Sequence, residues 1–511
     1  MNRPSRVSFN ALRVAPLAAL IAAFAMAPAD AQPIRLHHYS VALDPGLAVI
    51  RVRACFAGTP PRRLVAESLE ADYALEKAQL EGARRVFEPN GTEMRLGTLP
   101  DNACIAYSVD LGRFKGRSER PGRPRRHVGS DLVTDLGTWF WRPDSLEPDE
   151  DIDVEFDLPA GISVSAPWQM RAMPGEGTVY RVGHSPYDWP AAVAFGRFTE
   201  HVVDAPQAQL RVAVLEGQPR VDEVQIVDWL RRAAFAVTTL YGRFPVASVQ
   251  VLVIPGARGS EPVPWAYVLR GGGPSAHFFI NQERPRHEFD ADWTAVHELS
   301  HLLLPYVLSA DAWLSEGTAS YYEHVLRARA GSIAPAQAWQ RLHDGFTRGM
   351  QSARGLTLAD ATERMYRSGS FMRVYWEGAA IMLLADQRLR ARTEGRQSLD
   401  SALDQLARCC LSPQMGWGGR DLFRKLDELT GTTVFAELYE SHVRSASLPD
   451  VAQAYRLLGL QVTAAGEVVL LDDAPQRADR DAIMRAAGPV SGPEGQAPSA
   501  GAAQSTLNHN E

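Results

Sequence analysis

The stretch TAVHELSHLLLP (residues 294–305) places two histidines four residues apart, with a glutamate directly after the first. An α-helix turns once every 3.6 residues, so a helix here sets His297 and His301 on one face, one turn apart. Both imidazoles can then reach the same ion. Glu298 lies one residue round the helix, near enough to touch a water on that ion without ligating it. This is the HExxH arrangement, in which zinc activates a water and the glutamate takes its proton. The alternative is a metal-free helix whose histidines make ordinary hydrogen bonds.

A third ligand separates these two interpretations, because a catalytic zinc site uses three protein donors and keeps one position open. The stretch AWLSEGTASYYEHVLRARAG (residues 312–331) predicts a second helix, with Glu316 in its first turn and Gly331 as its stop. A short turn between the helices would bring Glu316 over the two histidines. The alternative for Glu316 is an acid that complements the dipole of a helix N-terminus. The aromatic and small residues around Glu316 instead indicate burial, and a buried carboxylate needs a cation.

These stretches carry a resemblance to a known group of enzymes. HELSH followed by WLSEGTASYYE resembles the gluzincin metallopeptidases, and VYWEGAAIMLLADQRLRARTEGRQSLDSALDQL (residues 374–406) resembles the glycyl aminopeptidase family, related to aminopeptidase N. The resemblance covers about residues 206–460. It implies a thermolysin-like α+β catalytic domain, one Zn²⁺ held by His297, His301 and Glu316, and Glu298 as general base.

The resemblance also implies a catalytic role for one tyrosine. In the family, a tyrosine in a Y-x-K-G setting donates a hydrogen bond to the oxyanion of the transition state, and Tyr375 of YWEG occupies that position. Glu377 stands where the family usually has lysine. Without the resemblance, Tyr375 would be interpreted as a packed core aromatic.

Three departures from the family bear on specificity. Fourteen residues separate His301 from Glu316, fewer than the eighteen or so usual in aminopeptidase N relatives, so the connection must be shorter. The family's aminopeptidases hold the substrate's amino group with an upstream glutamate, whereas this chain has GGGPSAHFFIN (residues 271–281), which contains none. The glycines could admit a substrate backbone, and HFFIN could serve as an edge strand that pairs with it. Alternatively, they form an ordinary turn before a strand. A PDZ-like module at the C-terminus is not expected.

The chain is too long for a single core, since cores rarely exceed about 250 to 300 residues. Stretches such as HYSVALD, AVIRVRACF and ACIAYSVDL alternate apolar and polar residues, which predicts an N-terminal β-sandwich. Further on, residues 221–244 predict an amphipathic helix whose apolar face includes Val224, Val227 and Leu230. We expect a multidomain chain with these parts: 1–31 signal peptide, 32–205 β-rich domain, 206–372 catalytic domain, 373–460 helical region, and 461–511 short tail, disordered from about 487.

The first 31 residues have the layout of a secretory leader. Three arginines precede the apolar run APLAALIAAFAMA, and the small-residue signal ADA ends at Ala31. The run is interrupted by a proline and is shorter than the roughly 20 residues of a membrane span. We therefore predict cleavage near Ala31 or Gln32, a periplasmic or secreted protein, and no stable membrane insertion.

The net charge of the chain bears on the class of molecule that it binds. The full chain carries a formal charge of −7, and the leader contributes three arginines against one aspartate, so the mature chain carries −9. A net negative charge disfavours nucleic acid as a partner. The one basic run, KGRSERPGRPRR (residues 115–126), has the proline and glycine content of a solvated loop. A peptide or protein is the expected substrate.

The four cysteines contain no C-x-x-C pair, which argues against a thiolate zinc site or a redox motif. In an oxidising compartment, Cys55 and Cys104 could form a bridge, since both lie in strand-like stretches of the N-terminal region. Four cysteines allow three full connectivities, so Cys409 and Cys410 leave the pairing open.

The sequence thus favours a secreted zinc metallopeptidase. The competing hypothesis is a protein of the same fold that binds zinc but does not catalyse, motivated by Glu377 and by the missing amine-anchoring glutamate. A serine hydrolase has no support, because there is no G-x-S-x-G motif.

Overall fold

The structure, a computed structural model, describes residues 34–114, 125–172, 178–352, 355–412 and 414–486. The predicted signal peptide, most of the basic run and the predicted disordered segment from about residue 487 lie outside these ranges. Within the described residues, no helix is both long enough and apolar enough to cross a membrane.

The N-terminal half is built from strands, as the alternating sequence predicts. In β1, for example, Tyr39, Val41 and Leu43 are buried while their neighbours are more exposed. The only α-helix in this half, among the residues described, is the short α1 (Glu70–Ala74). The strands, in chain order, are β1 (Arg35–Leu43), β2 (Val49–Cys55), β3 (Arg63–Val65), β4 (Leu75–Leu80), β5 (Val86–Phe87), β6 (Pro89–Asn90), β7 (Glu93–Arg95), β8 (Cys104–Asp110), β9 (Arg125–Val128), β10 (Asp131–Asp135), β11 (Glu150–Asp157), β12 (Ser163–Ser165), β13 (Gln169–Ala172), β14 (Thr178–Val182) and β15 (Ala192–Gly196).

Two of the sheets in this half share a core. The eight-stranded sheet has the order β13-β14-β11-β1-β2-β8-β4-β5, and a four-stranded sheet has the order β12-β15-β10-β9. Tyr39 and Ile105 from the first and Leu132 and Phe195 from the second belong to one buried cluster. The small sheet β3-β7-β6 contributes Leu64 and Met94 to the same cluster. The N-terminal region is therefore sheet-rich with its own core, as expected.

The next sheet supports the metal-site helices. Its strands are β16 (Glu200–Ala205), β17 (Ala208–Val214), β18 (Ser248–Pro255), β19 (Trp265–Leu269) and β20 (Ser275–Ile280), in the order β16-β17-β18-β20-β19. The inner strands β17, β18 and β20 are parallel, and β16 and β19 are antiparallel edges. Because β16 pairs with β17, the division predicted at residue 205 falls inside a hairpin of this sheet.

This sheet is covered on both faces, which explains the continuous apolar run of β18. Alternate residues of β18 serve the two sides. Val251 and Val253 pack toward the helices, whereas Leu252 and Ile254 pack against Val133 and Ala194 of the four-stranded sheet. The chain is thus layered, from the eight-stranded sheet through the four-stranded and five-stranded sheets to the helices.

The C-terminal half is helical. Its helices pack on the open face of the five-stranded sheet and on one another in one large buried cluster. In chain order they are α2 (Glu223–Thr238), α3 (Arg286–Ala291), α4 (Thr294–Ser300), α5 (Ala312–Arg329), α6 (Pro335–Gln351), α7 (Leu358–Glu363), α8 (Met365–Ser368), α9 (Phe371–Thr393), α10 (Leu399–Cys409), α11 (Gly419–Thr430), α12 (Val434–His442), α13 (Ala452–Leu458) and α14 (Arg477–Ile483).

Details of this half differ from the sequence interpretation. Helix α2 forms as predicted, but Val224, in its first turn, is 71% exposed rather than part of the buried apolar face. The start of the predicted tail folds into a hairpin of β21 (Leu460–Val462) and β22 (Val468–Leu470) followed by α14. Arg329 of α5 donates to the carbonyl of Ile483 at 2.8 Å, which ties α14 to the helical core.

All four cysteines are paired. Cys55 and Cys104 lie opposite each other at the ends of β2 and β8 and form a disulfide, one of the pairings that the sequence left open. The neighbouring Cys409 and Cys410 form the second disulfide, at the end of α10.

Candidate metal centre

The HELSH stretch is helical, and it brings the two histidines together as the spacing predicts. Helix α4 ends at Ser300, and His301 begins a 3-10 turn that runs to Leu303, before Pro305. The rings of His297 and His301 have centroids 5.0 Å apart. Both residues are largely buried; α4 packs on α5, and the ring of His297 also contacts Tyr375 of α9.

Helix α5 supplies the carboxylate. The Oε2 atom of Glu316 lies 3.4 Å from Nε2 of His297 and 3.6 Å from Nε2 of His301. These three residues form the one cluster of potential metal ligands found among the described residues, with ligand atoms within 4.8 Å of one another. Glu316 lies in the second turn of α5 rather than the first, since the helix starts at Ala312.

The cluster has the dimensions and the chemistry of a zinc site. Two ligands that each lie about 2.0–2.1 Å from a tetrahedral zinc ion are about 3.3–3.4 Å apart, close to the two distances that Glu316 makes. Its Oε2 is buried and forms no hydrogen bond with any described residue. A buried carboxylate oxygen without a partner costs free energy, and a cation between the three side chains would satisfy it.

Each histidine is oriented by a further residue on α5. Nδ1 of His297 donates to Oε2 of Glu323 at 2.7 Å, which leaves the lone pair on Nε2 free for a metal. Nδ1 of His301 lies 2.9 Å from Oγ of Ser315. Sequence analysis missed both residues. A signal for Glu323 was available, because it follows Glu316 by seven residues, two helical turns, and so lies on the same face of α5.

The end of the metal-site helix is held from the edge of the sheet. Arg270, directly after β19, donates from Nη2 to the carbonyls of His301 at 2.7 Å and Leu304 at 3.1 Å. Within the turn, the carbonyl of His301 accepts a long bond from the amide of Leu304 at 3.4 Å, and the carbonyl of Leu304 lies past the end of the turn. The guanidinium therefore acts as a C-terminal cap. Burial lowers the pKa of Arg270 to about 10, and it stays charged at neutral pH. Nothing in the sequence around Arg270 indicated this contact.

Glu298 lies beside the cluster, and its carboxyl group is not engaged by another described side chain. Its side chain is buried and forms no hydrogen bond with another described residue. Burial raises the pKa of Glu298 to about 8; the nearby Glu316 and Glu323 act in the same direction, and His297 opposes them.

Tyr375 reaches the cluster from α9. Its ring stacks on that of His297, with centroids 5.8 Å apart, and its hydroxyl interacts with Glu316. Burial, with the charges of Glu316 and Glu298, raises the pKa of Tyr375, so the hydroxyl keeps its proton and can donate it to a hydrogen bond. The side chain is only partly buried, in contrast to a core aromatic.

Two glycines allow this approach. A Cβ atom on Gly317 would lie 2.4 Å from Cα of Gly378, and a Cβ atom on Gly378 would lie 2.3 Å from the carbonyl oxygen of Trp313. Helices α5 and α9 therefore touch backbone to backbone at this pair. The contact lies one residue from Glu316 and one turn from Tyr375, which gives a physical reason for a glycine three residues after the tyrosine.

Glu377 is directed away from the cluster. It is fully buried and pairs with Arg373 one turn earlier on α9, while Arg373 also donates to the carbonyl of Leu356. Burial raises the pKa of Glu377 to about 7, and Arg373 acts against that rise. The residue at this position thus stabilises the packing of α9 and does not enter the site.

The short connection between α4 and α5 is braced by a distant loop. Trp417 donates its amide to the carbonyl of Tyr306 at 2.8 Å and accepts from the amide of Leu308 at 3.0 Å. These bonds hold the residues between Pro305 and Ser309 in extended form, so fourteen residues suffice to turn the chain back.

The suggestion that HFFIN forms an edge strand is wrong. These residues lie in β20, which pairs with β18 on one side and β19 on the other, so the edge is β19. Nor do the preceding glycines face a substrate: a Cβ atom on Gly271 would lie 2.2 Å from the carbonyl oxygen of Trp189. They admit the backbone of the N-terminal region instead. Strand β19 (WAYVL) contains no glutamate.

Comparison with known proteins identifies the fold. No family profile matches the chain, and no curated protein matches its sequence. Among solved structures, it is similar to an aminopeptidase N family protein from Idiomarina loihiensis, with a TM-score of 0.61 and 13% identity over 86% of this chain and 82% of that chain. It is also similar to an M1 zinc metallopeptidase from Deinococcus radiodurans, with a TM-score of 0.51 and 16% identity over 82% of this chain and 94% of that chain. A variant of the latter bound to a Tyr-Ser-Ala substrate gives a TM-score of 0.52 and 14% identity over 82% of this chain and 95% of that chain. The chain therefore has a gluzincin aminopeptidase-like fold, as its motifs indicated.

Proposed function

We propose that this chain, which has the fold of the gluzincin aminopeptidases, is a zinc metallopeptidase that hydrolyses peptide bonds. The observation that carries the proposal is the cluster of His297, His301 and Glu316, with the unpartnered Oε2 of Glu316 directed at both histidines. These three residues would hold one Zn²⁺. When bound, the ion polarises a water molecule and lowers its pKa.

Glu298 is the proposed general base. It accepts the proton of the attacking water as the oxygen of that water bonds to the scissile carbonyl carbon. The same carboxyl then delivers the proton to the departing amine as the carbon–nitrogen bond breaks. Its burial without a hydrogen-bond partner among the described residues leaves both oxygens available for this transfer.

Tyr375 is the proposed oxyanion donor. As the carbonyl oxygen gains charge, its hydroxyl donates a hydrogen bond to that oxygen, from a position fixed by stacking on His297. Glu323 and Ser315 keep the two imidazoles oriented, so that each presents Nε2 to the ion.

A peptide substrate fits the surroundings of the site. Strand β19 is an edge of its sheet and lies against α4, so an extended peptide could pair with its outer side. One structural neighbour carries a Tyr-Ser-Ala substrate, which supports peptides as the substrate class. We further propose that a thermolysin-like catalytic domain begins at β16 and includes the five-stranded sheet and the helices that carry the cluster. The strands before β16 would form a β-sandwich, and the leader would direct the protein to the periplasm or the exterior.

The proposal is tested by chelation and reconstitution. Purified mature protein is incubated with a mixed peptide library, and cleavage is read by mass spectrometry before chelation, after chelation and after addition of one equivalent of zinc. We expect cleavage to disappear on chelation and to return with zinc, and the cut positions to distinguish endopeptidase from exopeptidase activity. Zinc retained with no cleavage of any peptide would instead support the non-catalytic binding protein.

A further inference from the structure

A second cavity opens beside the metal cluster, with a volume of about 630 Å³. It lies between α5, α6 and α9, and Trp293 and Tyr375 form its border with the cluster. Both of these rings contact the ring of His297, at 5.4 Å and 5.8 Å between centroids. We call this cavity the arginine pocket, after Arg341 and Arg348 of α6 in its wall.

The two arginines have no acidic partner. They lie seven residues apart, two turns along the same face of α6. Within the described residues, neither forms an ion pair or a hydrogen bond with another side chain. Arg348 lies over the ring of Trp376, with its guanidinium carbon 5.2 Å from the ring centroid. Because Arg348 also lines the cavity, part of its guanidinium group still faces it.

The acids of the pocket are already engaged. Glu323 accepts the hydrogen bond from His297 and has its other oxygen 3.2 Å from Nε2 of His324. Asp344, at the exposed rim, accepts from the amide of Gln340 at 2.9 Å. Both carboxylates lie in the wall, but neither pairs with the guanidinium group of Arg341 or Arg348.

The wall of the pocket includes a buried polar group that lacks a partner. His324 is 4% exposed, and its Nδ1 forms no hydrogen bond with any described residue. Burial, together with the charges of Arg327, Arg341 and Arg348, lowers the pKa of His324 to about 4 against the effect of Glu323. The ring is thus neutral at pH 7. Its Nε2 lies 3.2 Å from the carboxylate of Glu323, which favours the proton on that nitrogen and leaves Nδ1 as an acceptor for an N–H group.

These features together suit a peptide carboxylate. A guanidinium pairs with a carboxylate through two parallel hydrogen bonds, and such charge-assisted bonds are about twice as strong as neutral ones. A peptide that offers a carboxylate also offers backbone N–H groups, which would satisfy Nδ1 of His324. His324 follows Glu316 by eight positions on α5, a rise of about 12 Å along the helix. An extended peptide covers that distance in about three residues.

We propose that the arginine pocket binds a carboxylate of the substrate, from an acidic side chain or from a free C-terminus, within about three residues of the scissile bond. This inference rests on the proposed function and narrows it to acidic or short peptides.

The first experiment compares matched peptides. Quenched fluorescent peptides carry glutamate or glutamine at each of three positions on either side of the cleaved bond, and each is made with a free and with an amidated C-terminus. In either the glutamate–glutamine or the free–amidated comparison, we expect kcat/KM to be at least about tenfold higher for the carboxylate than for its amide. The comparison that shows this preference identifies whether the carboxylate comes from a side chain or from the C-terminus. Arg341→Gln and Arg348→Gln should each bring the ratio toward one, and the corresponding lysine variants should retain part of it.

A matched control and a binding measurement separate this inference from the proposed function. Arg424→Gln removes an equally charged but exposed side chain on α11 and should change neither the ratio nor the activity. The same peptides are titrated against zinc-loaded Glu298→Gln protein by fluorescence anisotropy, which reads binding without turnover. Preferential binding of the carboxylate, abolished by Arg341→Gln, would support the pocket even if no peptide were cleaved.

Two results would overturn the inference. One is equal cleavage and equal binding of the glutamate, glutamine, free and amidated peptides. The other is a carboxylate preference that survives in the Arg341→Gln, Arg348→Gln double variant, provided that its melting temperature shows that it is folded.

Discussion

The contact between Glu323 and His297 makes a quantitative prediction about metal affinity. The hydrogen bond is short, at 2.7 Å between Nδ1 and Oε2, charge-assisted and buried, with Glu323 3% exposed. Residues that orient a metal-bound histidine in this way typically contribute 10-fold to 100-fold in affinity, or about 1.4–2.8 kcal/mol. We therefore expect Glu323→Ala to weaken zinc binding by about 10-fold to 100-fold. Glu323→Gln keeps an oxygen acceptor and removes only the charge, so a loss of about threefold to tenfold is expected.

The assay is competition for zinc between the apo protein and a chromophoric chelator at fixed pH. Ser315→Ala gives an internal comparison, because the hydroxyl at 2.9 Å from His301 is a neutral partner, worth a loss of about 2-fold to 12-fold. Glu428→Gln, an exposed acid on α11, serves as the control and should bind zinc as the wild type does. The melting temperatures of the apo proteins exclude simple unfolding. If Glu323→Ala holds zinc within twofold of the wild type, or more tightly than Ser315→Ala, the orienting role of Glu323 is refuted.

Three further predictions concern the frame of the site and its stability. Arg270→Met removes the guanidinium donor from two carbonyls at the end of the metal-site helix, and leaves that of His301 with only its long bond from the amide of Leu304. The apo protein should therefore lose about 1–3 kcal/mol in urea unfolding and also bind zinc more weakly; unchanged values of both would refute the cap. Gly317→Ala inserts a methyl group against Gly378, so activity should fall more than in Gly418→Ala, where the added methyl group makes only ordinary contacts and the backbone φ is −74°. Equal activities of the two variants would show that the Gly317–Gly378 contact does not constrain the site. Burial, with nearby acids, raises the pKa of Asp135 to about 8. The native state therefore holds the proton of Asp135 more tightly than the unfolded state does, so the free energy of unfolding falls as pH rises from about 4 to 8. Asp135→Asn should reduce this slope and melt at least about 2–4 °C higher than the wild type at pH 8; an unchanged slope would contradict it.

The core of the candidate site could be predicted from the sequence because it depends on local geometry. His297 and His301 are one helical turn apart, and their common face follows from the 3.6-residue period. Glu316 was inferred from the second predicted helix and its surroundings, and Tyr375 was assigned by the resemblance; the structure brings both to the same cluster. The bounds of α4 and α5 also follow local rules, since Pro305 and Gly331 lie just beyond the ends of the two helices.

The parts that could not be predicted depend on contacts between distant segments. Arg270 meets the end of α4 across 31 residues, and no sequence pattern marks that pairing. The edge strand was misassigned because HFFIN and WAYVL are both short apolar runs, and only the sheet order shows which one lies inside. Val224 matched the helical period but lies in the first turn of α2 and is exposed, whereas Val227 and Leu230 of the same face are buried.

The domain layering was also beyond local patterns. The sequence predicted strands in the N-terminal half, but it did not indicate that the outer face of its four-stranded sheet packs on the sheet below the metal helices. The glycines at 271–273 were interpreted as a route for a substrate. They are instead the point at which two regions meet, which only the three-dimensional contacts with Trp189 and its neighbours show.

The central claim is that a metal held by this cluster and a base beside it cleave peptides. The most direct measurement is zinc content and peptide cleavage for the purified wild type beside Glu298→Gln. This substitution preserves the shape of the side chain and leaves His297, His301 and Glu316 in place. The account predicts one zinc per chain in both proteins, with cleavage only in the wild type. A Glu298→Gln protein that cleaves at the wild-type rate, or a wild type that holds no zinc, would contradict it.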